Sequence, residues 1–309
     1  MIGDIQDPDV GTESRFWHRI RRRRPALVDL CLAVPPALLA VALGVIPILL
    51  LVVESVSPLV TPSNYLSIFD SVYLVIMVRS LGIGLVITAT CLAIAYPVTY
   101  WLAHRCPARY QLPVLVALTI PLWLNYVVLN YTWVWILARD GVVNAVLTGL
   151  GLVAQPVELL RTSSPVGVGA IELPGLSLGV GFVHIYLPYV LLTMYVSMER
   201  LDYRQVEAAR DLGANELRAF VDVVVPETYA GAVAGLLIVY ARIAGAFATP
   251  QILAAPSEQM IAEAITTQFY DVLDYQFAAA LSVSFLAIIL LGFGLGALSG
   301  NVRSELRRW

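Results

Sequence analysis

Six apolar stretches, each long enough to cross a bilayer, constrain this chain more than any other feature. They fall at roughly 26–53, 73–103, 113–137, 177–198, 228–249 and 277–299. A helix needs about 20 apolar residues to cross a hydrocarbon core about 30 Å thick. Lipid offers backbone polar groups no partner, so a run of this length must satisfy them within a helix. The expected fold is therefore an all-α membrane protein with six transmembrane helices. Composition agrees: 59% of residues are hydrophobic and 13% are charged, against roughly a quarter charged in soluble domains. Pro97 predicts a kink in the second span, and Pro35, Pro36 and Pro47 predict a bent first span or an interfacial start to it.

All nineteen basic residues are arginines, and there is no lysine. A Walker A motif and a Schiff-base lysine are both excluded, because each needs the lysine amine. ATP, if it drives anything here, is bound by another chain. Arg19, Arg21, Arg22, Arg23 and Arg24 end a polar tail just before the first span. Beside an apolar helix such a run is a topology signal, so no nucleic-acid partner is expected. The tail is too long and too acidic at its start for a signal peptide. With the N-terminus inside, fifteen of the nineteen arginines lie in inside segments, leaving only Arg79, Arg139, Arg161 and Arg242. The positive-inside rule then puts both termini in the cytoplasm of a multi-pass protein of the cell (inner) membrane. The chain divides into a cytoplasmic tail at 1–25, a transmembrane domain at 26–300 with an inner loop at 199–227, and a C-terminal tail at 301–309.

That inner loop carries the most specific pattern. Glu207 to Pro226 reads EAARDLGANELRAFVDVVVP. Its charges require water or a polar partner. A first helix through Val206, Ala208, Ala209 and Leu212 stops at Gly213, which tolerates positive φ. Asn215 caps a second helix, which spaces Leu217, Phe220, Val221 and Val224 helically before Pro226 closes it. A solvated loop would satisfy these facts. The fixed spacing of Glu207, Ala208, Ala209, Gly213, Val223, Val225 and Pro226 goes further: it resembles the EAA loop of the membrane subunits of ABC importers. The resemblance implies a coupling helix that docks in a groove on a nucleotide-binding subunit. Glu207, Ala208, Ala209, Gly213, Leu217, Phe220 and Pro226 are the candidate docking residues.

Candidate pathway residues come from the polar positions within spans. The third span holds Trp123, Asn125, Tyr126, Asn130 and Tyr131. Trp133 and Trp135 fit an interfacial aromatic belt. Asn125 and Asn130 read as mid-span amides, which either line a pathway or bind helices together. Arg242 lies past the midplane of the fifth span; it either snorkels outward or marks a solute or counter-ion site. Gly245, Thr249 and Pro250 predict that this span ends in a break, and Phe247 and Thr249 join the candidate pathway. His184 reads as a hydrogen-bonded interior residue. Between the spans, 138–176 contains an amphipathic piece from Val142 to Val153. The loop at 250–276 carries Glu258, Glu263, Asp271 and Asp274 and no basic residue. Those acids read as solvated loop charge, or as an attraction for a cation or a basic docking surface. Cys31, Cys91 and Cys106 have neither metal nor disulfide spacing. No HExxH or GxSxG pattern occurs, so no catalytic, metal or cofactor site is expected.

Over about 27–300 the chain resembles the MetI-like permease fold of type I ABC importers, and within it most resembles the spermidine/putrescine branch. The stretches that carry this are 121–147, 207–226 and GAFATPQIL at 245–253. The resemblance implies a permease dimer, heteromeric in that branch, with two ATPase subunits on the cytoplasmic face and an external solute-binding protein. The function it implies is the translocation pathway for a polyamine-like or other small organic solute, with ATP hydrolysis in a separate subunit. The branch carries an arginine where this chain has Leu129, and Gly-Asp-Phe where this chain has Gly245-Ala246-Phe247. Loss of an acid and gain of Arg242 point to a neutral or anion-bearing solute. A stand-alone channel or secondary transporter is the alternative; it would show paired ionisable groups near the midplane or inverted repeats, and neither is seen.

Overall fold

A computed structural model describes residues 25–57, 63–69, 72–162, 167–168, 171–172 and 174–298. The tails expected at 1–25 and 301–309 lie outside the described residues, Pro25 excepted. The helices are α1 (Pro25–Ser55), α2 (Ser63–Phe69), α3 (Val72–His104), α4 (Ala108–Thr119), α5 (Tyr126–Leu137), α6 (Val142–Gly149) and α7 (Leu176–Glu199). After them come α8 (Tyr203–Asp211), α9 (Glu216–Glu227, with a π turn at Phe220–Val224), α10 (Tyr229–Ala244), α11 (Ala248–Leu253), α12 (Ile261–Thr267) and α13 (Tyr275–Leu298). Between α6 and α7 a two-residue antiparallel ladder pairs Gly167 with Glu172 and Val168 with Ile171, a small departure from an all-helical chain.

Among the described residues, four helices can cross a membrane as single rods: Leu32–Ser55 within α1, α3, α7 and Tyr275–Gly294 within α13. The other two expected spans are not continuous. The third divides between Ala108–Trp123 and Tyr126–Gly149, which meet at 95°. Its sequence explains the break. Pro121 sits in a 3-10 turn at Ile120–Trp123, and Asn125 is extended, its side-chain oxygen accepting the Val127 N–H at 2.8 Å. Asn125 is thus a helix cap, not a mid-span amide. In the fifth span, α10 meets α9 at 68° and stops at Gly245, after which α11 begins. The expected break is there.

α3, α7 and α10 form the centre of the bundle. Lipid tails are as apolar as leucine, so close approach of small residues rather than hydrophobicity holds such helices together. Gly231 and Gly235 of α10 face Thr193 and Ser197 of α7. A Cβ on Gly235 would lie 2.7 Å from Thr193 Oγ1, and one on Gly231 would lie 2.9 Å from the Thr193 carbonyl and overlap Ser197. Their main buried cluster includes Ile87, Cys91, Phe182, Met194 and Val239. A second cluster joins Met77, Ile261, Leu281 and Phe285 of α3, α12 and α13. α1 packs on α13, and its apolar face is otherwise uncovered.

The acidic residues at 250–276 are mostly structural. Glu258 is 1% exposed; its carboxylate accepts the Gly175 N–H at 2.6 Å and the Ala255 N–H at 3.1 Å. Glu263 caps α12 by accepting the Met260 N–H at 3.0 Å, and Asp274 caps α13 by accepting the Phe277 N–H at 3.0 Å. Burial pushes the Glu263 carboxyl up from the usual carboxylate range. Neither a solvated charge nor a docking charge describes Glu258. The amphipathic piece at 142–153 forms α6 and a turn, fixed by Asn144, which bonds the Ala138 carbonyl and both backbone groups of Val157.

Candidate coupling surface and translocation cavity

The loop between α7 and α10 folds as its sequence predicts. Asp202 caps α8 by accepting the Arg204 N–H at 3.1 Å. The helix ends with Gly213 at φ +93°, the Gly213 N–H bonding the Arg210 carbonyl and the Ala214 N–H the Ala209 carbonyl. This pair of bonds is a Schellman motif, which requires the left-handed residue. Asn215 accepts the Arg218 N–H at 2.8 Å and starts α9.

Three contacts bind this loop to the bundle. The Phe220 ring meets Tyr96 and Tyr100 edge-on at 5.9 and 5.6 Å. Tyr203 stacks on His104 at 5.0 Å. Glu216 pairs with Arg105, at the end of α3, and with Arg210 at 3.2 Å. The pairs are solvated and contribute at most about 1 kcal/mol. Burial does more: Val206 and Val224 are buried in the main cluster, each stabilising by roughly 1.5–3 kcal/mol.

The opposite face of the loop is open. Leu212 is 90% exposed, Leu217 71% and Val221 52%. Glu207, Ala208, Gly213 and Pro226 of the same loop are also exposed, and Ala209 is partly covered. Phe220 differs from the other candidates: it is half-buried and turned into the bundle, where it anchors the loop. Leu212 and Val221 were legible only as apolar residues at helical spacing. That spacing gives a face, not the side on which the face lies.

A cavity of about 380 Å³ opens where α10 breaks. Tyr126, Ile185, Tyr186, Tyr189, Arg242 and the segment 245–249 line it. The Arg242 guanidinium lies over the Tyr189 ring, 4.9 Å from its centroid. Of the candidate pathway residues, Tyr126, Arg242, Phe247 and Thr249 come together here. Trp123 and Tyr131 are exposed elsewhere, and Asn125 is the helix cap. Asn130 is fully buried and donates to Thr249 Oγ1 at 3.0 Å, so it ties α5 to α11 behind the cavity wall; its Oδ1 has no partner. Tyr186 and Tyr189 escaped the sequence reading, because aromatics three apart on α7 look like ordinary packing. Trp133, read as part of an interfacial belt, ties α5 to α7: its Nε1–H donates to His184 Nδ1 at 3.0 Å. Among the described residues no group of acids, cysteines and histidines could hold a metal.

A spanning bundle with a cavity at a helix break, and a capped loop with exposed apolar residues at one end, fits a solute permease. The sequence matches the binding-protein-dependent transport system inner membrane component family over residues 19–304, and the chain belongs to that family. It is 31% identical to the spermidine/putrescine transport system permease protein PotB of Escherichia coli (strain K12), over 72% of this chain and 77% of that one. It is 29% identical to the inner membrane ABC transporter permease protein YdcU of the same organism, over 65% of this chain and 64% of that one. Its fold matches the crystal structure of a bacterial ABC transporter that imports the acidic polysaccharide alginate. The TM-score is 0.70 at 16% sequence identity, covering 91% of this chain and 98% of that one.

Proposed function

We propose that this chain forms half of a solute pathway and takes its driving force through the loop at 199–227. An ATPase subunit docks on Leu212, Leu217 and Val221, flanked by Glu207, Ala208, Ala209, Gly213 and Pro226. The uncovered apolar ridge carries this reading, because three large apolar side chains on a charged loop are otherwise left in water. A stand-alone channel would give that ridge no purpose. The arginine distribution supports cytoplasmic termini, which would put the ridge on the side where ATP is. The absence of lysine supports ATP hydrolysis in a separate subunit. The resemblance to the spermidine/putrescine branch supports a second, different permease as partner, and membership of a binding-protein-dependent transport family supports an external solute-binding protein. The cavity at the α10 break, with Tyr126, Arg242, Phe247 and Thr249, is the part of the pathway this chain supplies.

Replacing Leu212 and Leu217 together by aspartate tests the ridge. Two carboxylates in an apolar groove should lower ATPase recovery with the purified permease by about tenfold or more, while membrane insertion is unchanged. Full recovery with normal uptake would contradict the docking role.

A further inference from the structure

Arg242 lies about 20 Å beyond Tyr229 along α10, at 1.5 Å per residue. That is past the middle of a hydrocarbon core about 30 Å thick. A charge at such depth persists only with a partner or in water. Among the described residues no carboxylate pairs with Arg242, and the cavity lining contains neither aspartate nor glutamate. Arg242 stands in the last turn of α10, where a cation complements the helix dipole, but its head is drawn towards α7 and over Tyr189. A ring on one face of a guanidinium leaves the N–H groups at its edge free. That edge is the fork that bonds a planar oxyanion through two parallel hydrogen bonds. Tyr126 and Tyr186 bring phenol side chains to the same cavity, and among its described lining residues the one formal charge is positive.

We propose that this cavity is an oxyanion subsite, and that the solute moved by this importer carries a carboxylate or phosphonate group. The Arg242 edge holds the oxyanion, and the carbon body lies against Tyr186, Tyr189 and Phe247. A volume of about 380 Å³ suits a small molecule, not a polymer chain. The same positive site repels a diamine. The inference rests on reading the chain as an importer permease.

Uptake by the complete transporter in proteoliposomes, with its own binding protein and ATPase, tests it. A matched series, putrescine, 4-aminobutyrate and 3-aminopropylphosphonate, varies the headgroup on a chain of similar length. Uptake of at least one oxyanion member should exceed that of putrescine by about tenfold, the scale of a charge-assisted hydrogen bond. The comparison of the two oxyanion members tells carboxylate from phosphonate. Arg242→Gln should lose that uptake by a similar factor while the complex still assembles, and Arg242→Lys, which keeps the charge without the fork, should keep part of it. Putrescine uptake equal to or above that of both oxyanion members, uptake of no oxyanion member, or an unaffected Arg242→Gln would overturn the oxyanion subsite. Failure of the chain to assemble with any ATPase would instead overturn the permease reading.

Discussion

Gly213 offers the sharpest test of how the loop is shaped, because its substitution isolates the backbone. Its φ of +93° lies where L-residues are strained, yet a Cβ built there meets nothing within 4 Å. No clash can therefore explain a loss of function in the permease alone. The left-handed region costs an ordinary residue about 1–2 kcal/mol, and a β-branched residue more. Asparagine is tolerated there better than most. If the Schellman turn must be in place for docking, that strain reduces the competent fraction, and apparent affinity falls in proportion. About 1.4 kcal/mol corresponds to tenfold. ATPase co-purification should then fall in the order glycine, asparagine, alanine, valine, with Gly213→Val near tenfold below the parent and insertion unchanged. A valine variant equal to the parent in recovery and uptake refutes the argument. So does an asparagine variant as poor as valine, which would mean that the partner's surface, not φ, excludes a side chain.

The contact of α7 with α10 predicts a stability effect away from the loop. Gly235→Val drives a side chain into Thr193 Oγ1 and should destabilise by about 1–3 kcal/mol, as overpacking does, lowering the thermal midpoint in detergent. Gly292→Val on α13, where a Cβ meets nothing within 4 Å, is the control. It should leave the midpoint almost unchanged, and equal effects from both would count against close packing of α7 on α10.

The loop was the most legible part of the chain. Gly213, Asn215 and the spacing of its apolar residues each act through local backbone chemistry, and local chemistry is what sequence displays. The continuous spans were legible for the same reason. Asn125 misled because capping and mid-span burial use the same residue type; only the break after Pro121 distinguishes them. The cavity was half legible. Arg242 stood out as a charge within an apolar run, but Tyr186 and Tyr189 reach it from α7, a different helix, and no pattern within α7 points across that distance. Glu258 was read as a loop charge because its partners, the backbone of Gly175 and its own turn, carry no signature in sequence.

Hydrogen exchange of the chain in membranes, with and without its ATPase subunit, tests the central claim most directly. Protection should appear on binding at Leu212 to Val221 and be small at the buried residues Val206 and Val224, which are covered already. Exchange that is unchanged along the whole loop when the ATPase is bound would contradict the account.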